Sequence, residues 1–320
     1  MTKQKSFYQF DKDTGFWGVP NLSQDYVSEL NTTPIQISNN QYGIRDSGGY
    51  NNKLTNNIVI IGGSHSWGAG ITTEQRYSEI LAGRLSRQVI NMAQASLGID
   101  QICIAIMKKT QKFNPKIIVI EQYPWAVLRI SNNYVNGYIK PSFSLDSNDD
   151  LELSKVPFLA KYKAIRQAIG EYRSYKKQLS EYQSGIDLSV YDPRLDPIFL
   201  SWKSAHYSHM YKLLEKIIII IKDYCQSNNI KLIFALGTLH QQFKEGGEQK
   251  TLLIDYDLPR DKLQIILDKL NIDYIDTKDV MLSNHTQNDP VVFRDGHINA
   301  KGHRIFADLI EGILKEKKWV

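Results

Sequence analysis

An α/β sandwich around a five-stranded parallel sheet, in the strand order 2-1-3-4-5, is the fold class that this 320-residue chain predicts. Three observations carry that reading. Short apolar runs alternate with helical patterns from residue 58 to the end. The first and third runs, 58–62 and 116–121, are nearly unbroken and rich in β-branched residues, as expected of strands covered on both faces. No internal repeat and no low-complexity segment competes with the pattern.

The elements follow in order. Residues 1–50 are polar and aromatic, rich in Asn, Gly and Ser, and read as loop or edge-strand pieces packed on a core and not as a domain. The α/β domain spans 51–320. Its first strand is 58–62. A helix over 72–86 follows, capped by Thr72 or Thr73, with Tyr77, Ile80, Leu81 and Leu85 on its apolar stripe. A short strand at 88–91 precedes a helix over 99–113, which Pro115 stops. The third strand, 116–121, contains Ile117-Ile118-Val119-Ile120. From about 130 to 200 the rhythm breaks into Asn-rich turns, a tyrosine-rich charged helix over 159–182 and a proline-punctuated loop. This is read as a helical insertion capping one end of the sheet. A helix at 208–226, a strand at 230–236, a helix opened by Pro259, a strand at 272–275 and a closing helix at 301–315 complete the alternation.

Composition narrows the function classes. At 42% hydrophobic and 23% charged, with net charge +5, the chain is an ordinary globular protein. No basic stripe interleaved with aromatics points to nucleic acid. The longest apolar run, 102–107, is too short to span a bilayer. No apolar leader segment follows Met1, so a cytoplasmic location is expected. Cys103 and Cys225 lie in apolar helical patterns and read as buried small residues, neither a bridge nor a metal site.

Two remote segments carry the chemistry. Gly62-Gly63-Ser64-His65-Ser66-Trp67-Gly68 is a glycine-rich turn straight after the first strand, where ligands bind in such sheets. Asp295-Gly296-His297-Ile298-Asn299 stands just before the last helix. Ser64 is the candidate nucleophile, with Ser66 as the alternative. His297 is the candidate base, and Asp295 the carboxylate that orients it, with Asp289 a lesser substitute. His65 is either a substrate contact or a packing residue, because adjacent side chains diverge and it cannot serve Ser64 as base.

These blocks resemble those of the SGNH, or GDSL-type, hydrolase superfamily, whose members are flavodoxin-like esterases, lipases, carbohydrate deacetylases and some O-acyltransferases. The similarity runs over roughly residues 40–315 and leaves the insertion unmatched. In this chain Gly63 stands where aspartate usually precedes the serine. The second block is similar to 91–101, which puts Ser96, or Gly98 if the loop shifts, at the backbone oxyanion donor beside the Ser64 N–H. The third block aligns Trp125 with the family's asparagine, so Gln122 or the indole N–H of Trp125 is the stand-in to look for. The closing Asp-x-His is shorter than the common Asp-x-x-His and is similar to that of some polysaccharide O-acetyltransferases.

The resemblance implies a serine-dependent esterase that removes a small acyl group, such as acetyl, from a carbohydrate or other ester through an acyl-enzyme. The alternatives are an O-acyltransferase to a glycan hydroxyl using the same triad, or a degenerate member that binds a glycan or partner without turnover. A small-molecule or glycan ester is the expected partner, with no nucleic acid and no membrane span. No metal or organic cofactor is expected. The sequence does not set the oligomeric state.

Overall fold

Alternation within the strands decides the layers. In the computed structural model, which describes residues 6–27, 30, 33–46, 57–85, 87–184, 205–243 and 255–320, two hairpins come first. β1 (Tyr8–Asp11) pairs with β2 (Gly15–Gly18), and β3 (Ser23–Tyr26) pairs with β4 (Ile35–Ser38), both antiparallel. The sheet then begins with β5 (Asn57–Ile61), which leads into the single-turn α1 (Ser64–Trp67) and on to α2 (Tyr77–Arg84). β6 (Val89–Asn91), α3 (Ile99–Lys109) and β7 (Pro115–Gln122) follow.

The insertion carries two small hairpins, β8 (Tyr134–Val135) with β9 (Tyr138–Ile139) and β10 (Ser142–Leu145) with β11 (Leu151–Ser154), before α4 (Lys163–Ser184). α5 (Ala205–Ser227), β12 (Lys231–Leu236), α6 (Leu258–Lys269), β13 (Asp273–Asp276), α7 (Lys278–Ser283) and α8 (Ala300–Glu316) close the chain.

The five central strands are all parallel and lie in the order β13-β12-β7-β5-β6, which is the expected 2-1-3-4-5. Successive residues point to opposite faces. Ile58 and Ile60 of β5, with Ile117, Val119 and Ile233, meet Tyr77 and Leu81 of α2 and Phe306, Ile310 and Leu314 of α8. Val59 and Ile61, with Ile118, Ile120 and Phe234, meet α3 and α5 through Ile102, Ile106, Leu214, Ile217 and Ile221. Burying a side chain of this size stabilises by about 1.5–3 kcal/mol. Phe16 and Trp17 of β2 lie in the second of these clusters, so the first hairpin is built onto the α3–α5 face, while Ile35 and Ile37 of β4 pack with Trp67, Ala69 and Ala93.

One helix begins later than its sequence suggests. Thr72 and Thr73 resemble caps, yet α2 starts at Tyr77. The buried Arg45 accounts for this. Its guanidinium donates to the carbonyls of Trp67, Gly68 and Ile71 and to Thr73 Oγ1 at 2.7–3.0 Å, holding 67–73 as a wrapped turn. Among the described residues no helix is long and apolar enough to cross a membrane. Cys103 and Cys225 are both free and buried.

Candidate active site

The register between β5 and β7 sets the floor of the site. Ile61 lies opposite Ile120, so the next residue of β7, Glu121, falls beside Gly62 and Gly63. Its Oε2 accepts from the Gly63 N–H at 2.9 Å and from the Ser66 hydroxyl at 2.8 Å. A Cβ on Gly62 would run into this carboxylate and the Ser66 hydroxyl, so the position requires glycine. Burial pushes the Glu121 carboxyl up, against the pull of those donors and of Arg129. Ser66 is therefore committed beneath the turn, with Tyr77 OH as a further partner.

Ser64 is the first residue of α1, at the carboxyl end of β5, and its side chain reaches the cleft. The base arrives from the other end of the chain. Residues 290–299 fold back on themselves through the Val292–Ile298 bridge and the Phe293 N–H bond to the His297 carbonyl at 2.7 Å. Inside that hairpin the Asp295 carboxylate works twice. Oδ1 accepts the His297 backbone N–H at 3.0 Å, and Oδ2 faces His297 Nδ1 at 2.6 Å. The intervening Gly296 has φ +91°, a left-handed conformation that glycine adopts without penalty. A two-residue spacing thus suffices because the carboxylate closes a tight turn and the imidazole contact together.

His297 Nε2 then stands 2.8 Å from Ser64 Oγ. With Nδ1–H donated to Asp295, Nε2 is left to accept the Ser64 proton. Asp289 lies elsewhere, paired with Lys301 at 2.6 Å.

The remaining candidates sort by their backbone and side-chain partners. His65 is buried and lies flat on Tyr123 with ring centroids 3.6 Å apart, its own ring 4.7 Å from that of His297. Burial, followed by His297, His303 and Arg129, pulls its pKa well below the ordinary value, so it stays neutral. Gln122 is buried at the end of β7 and donates Nε2–H to the Tyr123 carbonyl. Trp125 belongs to the 3₁₀ helix Pro124–Ser131, and its side chain lies outside the described residues.

In the 94–98 loop, the amides of Gln94, Ala95, Leu97 and Gly98 donate to Gly62 O, Tyr8 OH, Gln94 O and Gln101 Oε1 respectively. The Ser96 N–H is the amide of this loop that makes no bond among the described residues. Ser96 has φ +71°, the left-handed conformation that glycine adopts without penalty.

The cleft around Ser64 holds about 560 Å³. It is lined by Ser64, His65, Ser96, Tyr123, Arg129 and His297, with Tyr26 of β3 and Leu239 and His240 from beyond β12. Arg129 and Glu121 are contributions that the sequence did not disclose. Glu121 merely ends a strand, and Arg129 lies eight residues further on in a 3₁₀ helix; only the β5–β7 register and the fold of that helix bring them to the serine. Among the described residues no cluster of three or more His, Cys, Asp or Glu is placed to hold a metal.

No family model matches the chain, and no curated protein sequence matches it either. Solved structures do. An acetyl xylan esterase, AlAXEase, is 15% identical, with 81% of this chain and 99% of that one covered and a TM-score of 0.44. A lipolytic protein of the G-D-S-L family from Veillonella parvula is 13% identical, with 81% and 98% covered and a TM-score of 0.44. A GDSL-like lipase from Bacteroides thetaiotaomicron is 12% identical, with 82% and 89% covered and a TM-score of 0.42.

Proposed function

We propose that the chain is a serine esterase that removes a small acyl group from a carbohydrate or other ester through an acyl-enzyme. The observation that carries this reading is the continuous line Asp295 Oδ2, His297 Nδ1, His297 Nε2, Ser64 Oγ, with contacts of 2.6 and 2.8 Å. Each end of that line comes from a segment more than 230 residues from the other. A nucleophile–base–orienter set within hydrogen-bond reach is the arrangement that acyl transfer to serine needs. The sequence blocks, similar to those of SGNH hydrolases, and the esterase names of the structural neighbours agree with it.

The reaction runs in two halves. Ser64 Oγ attacks the acyl carbon while its proton passes to His297 Nε2, and the carbonyl π electrons move onto oxygen. The Ser64 and Ser96 N–H groups receive that oxyanion. Collapse restores the C=O bond, breaks the bond to the alcohol oxygen and sends the His297 proton to the departing alcohol. Water, deprotonated by the same imidazole, then repeats the sequence and frees the acid. Asp295 keeps Nδ1 protonated throughout and stabilises the imidazolium.

The test is intact-mass labelling with a serine-directed phosphonate. A single adduct that disappears in Ser64→Ala is expected. No adduct, or one that survives Ser64→Ala, removes the proposal. A cleft of about 560 Å³ accommodates a sugar unit bearing a short acyl group. Transfer to a glycan hydroxyl uses the same residues and is distinguished by acyl movement to an added acceptor outrunning hydrolysis.

A further inference from the structure

A second, smaller recess of about 20 Å³, room for one water-sized atom, opens beside Ser64. It is lined by Gly63, Ser64, Leu97, Glu121 and Arg129 among others, and by neither Asp295 nor His297. It thus adjoins the nucleophile without being lined by the base. When a serine attacks a carbonyl, the proton leaves toward the base and the new oxyanion is held apart from it, against donors.

Arg129 is common to this recess and to the main cleft. Its Nη1 donates to the Leu97 carbonyl at 2.8 Å, inside the loop that presents the Ser96 N–H. The same Nη1 stands 3.5 Å from where a Cβ on Gly63 would lie. The guanidinium thus spans the two backbone segments that carry the Ser64 and Ser96 amides. The carboxylate in the same recess does not oppose an oxyanion outright. Glu121 Oε2 is already occupied by the Gly63 N–H and the Ser66 hydroxyl, and its charge and that of Arg129 attract one another.

We propose that Arg129 supplies the side-chain donor to the oxyanion, in the place where the aligned third block offers no asparagine. Resting on the esterase reading, this makes Arg129 a catalytic residue that contributes chiefly when charge develops on the carbonyl oxygen. A guanidinium is a charge-assisted donor with several N–H groups, so one can hold Leu97 while another meets the reacting oxygen.

The experiment compares wild type with Arg129→Ala and Arg129→Gln in two measurements: hydrolysis of p-nitrophenyl acetate, and the rate at which a phosphonofluoridate labels Ser64, its phosphoryl oxygen standing for the oxyanion. The expected result for Arg129→Ala is a kcat lower by about 100- to 1000-fold with KM changed by no more than a few-fold, and labelling slowed in parallel. Added guanidinium ion restores part of the lost kcat. Arg129→Gln, which keeps a neutral donor, falls between the two and serves if Arg129→Ala does not fold. Turnover and labelling within about tenfold of wild type in Arg129→Ala, or equal to wild type in Arg129→Gln where that variant alone folds, overturn the inference and leave the esterase reading standing. A loss confined to KM overturns it too, since it indicates ground-state substrate binding alone. Absence of any Ser64 adduct in wild type removes the esterase reading and this inference together.

Discussion

Asp295 faces His297 at the wall of an open cleft, whereas Asp100 of α3 faces Lys140, between β9 and β10, in a closed interior. Both are acid–base pairs, but their surroundings differ. The Asp295 and His297 side chains are 42% and 25% exposed, while Asp100 and Lys140 are both 0% exposed. Water beside the first pair lets charge appear and vanish as protons move. Without water the second pair must keep its charges matched, and burial pushes the Asp100 carboxyl up against the pull of Lys140. The second pair also has a structural task. Lys140 belongs to the insertion and Asp100 to the core, so the contact ties one to the other, helped by Tyr138 OH donating to the Tyr8 carbonyl and by the buried Phe143. Under the proposed mechanism, solvent access, more than the pairing itself, separates the pair that moves protons from the one that holds the chain.

Breaking the open pair tests half of that contrast and gives the largest effect. Ser64→Ala and His297→Ala each lower kcat for ester hydrolysis by about 10⁴-fold or more, with little change in the thermal midpoint. A variant that keeps most of the activity would falsify the assignment of that residue. Breaking the closed pair gives the reverse. Lys140→Ala leaves Asp100 buried without its partner and destabilises by about 3–5 kcal/mol in urea unfolding. The double variant Asp100→Asn with Lys140→Met removes both charges and recovers much of that loss. If Lys140→Ala proves as stable as wild type, the pair does not anchor the insertion.

Glu121 sharpens the comparison because it combines both situations: buried like Asp100, yet in contact with the turn that carries Ser64. Its raised pKa means that its contribution to stability is fully present below the ordinary carboxyl range and is lost as pH rises through the folded value. Glu121→Gln keeps an oxygen to accept from Gly63 and Ser66 and abolishes that loss. The expected outcome at pH 8 is a thermal midpoint equal to or above wild type, with kcat lower by about 10- to 100-fold through displacement of Ser64. A variant that loses stability in step with activity places Glu121 with the architectural groups.

The sheet was legible in the sequence because residues 58–62 and 116–121 have the unbroken β-branched runs of covered strands, and the order expected for them is one of the common ones for such sheets. The Asp295–His297–Ser64 line of contacts was legible because both segments announce themselves locally, one as a glycine turn after a strand, the other as Asp-Gly-His before a helix. What escaped depended on partners far away in sequence. Thr73 resembled a helix cap until Arg45, 28 residues upstream, claimed it. The sequence placed Ser96, or Gly98 if the loop shifts, at the backbone donor; Tyr8, 87 residues upstream, takes the Ala95 amide, Gln101 takes that of Gly98, and the Ser96 amide is left without a bond among the described residues. The hairpins of the insertion are only two to four residues per strand, too short for periodicity to register. Asn136-Gly137, with φ of 52° and 80°, was the one turn signal that could have located the first of them.

The histidines extend the same contrast to pH. His65 and His303 are enclosed, and burial pulls both well below the ordinary histidine value; for His65 the neighbours His297, His303 and Arg129 add to this, and for His303 Arg76 and Arg45 do. A histidine held neutral in the fold and free to ionise when unfolded contributes stability above its unfolded pKa, which is lost as pH falls toward the depressed folded value. Each such histidine therefore steepens the loss of stability as pH falls below the ordinary histidine range. His303→Gln removes one of them, so its stability–pH curve on the acid side of the ordinary histidine range is shallower than that of wild type. Parallel curves would show that His303 titrates in the fold as it does in water.

The smallest effect expected concerns Ser96. The left-handed backbone there costs a serine on the order of 1 kcal/mol that glycine does not incur. Ser96→Gly keeps the backbone N–H, so it should raise stability by about that amount, read as a shift of the urea midpoint at unchanged slope, while kcat stays within a few-fold of wild type. A large fall in kcat with the fold intact would mean that the serine hydroxyl, and not the amide alone, takes part at the cleft, and the division between open reacting groups and enclosed holding groups would have to move one residue further along the 94–98 loop.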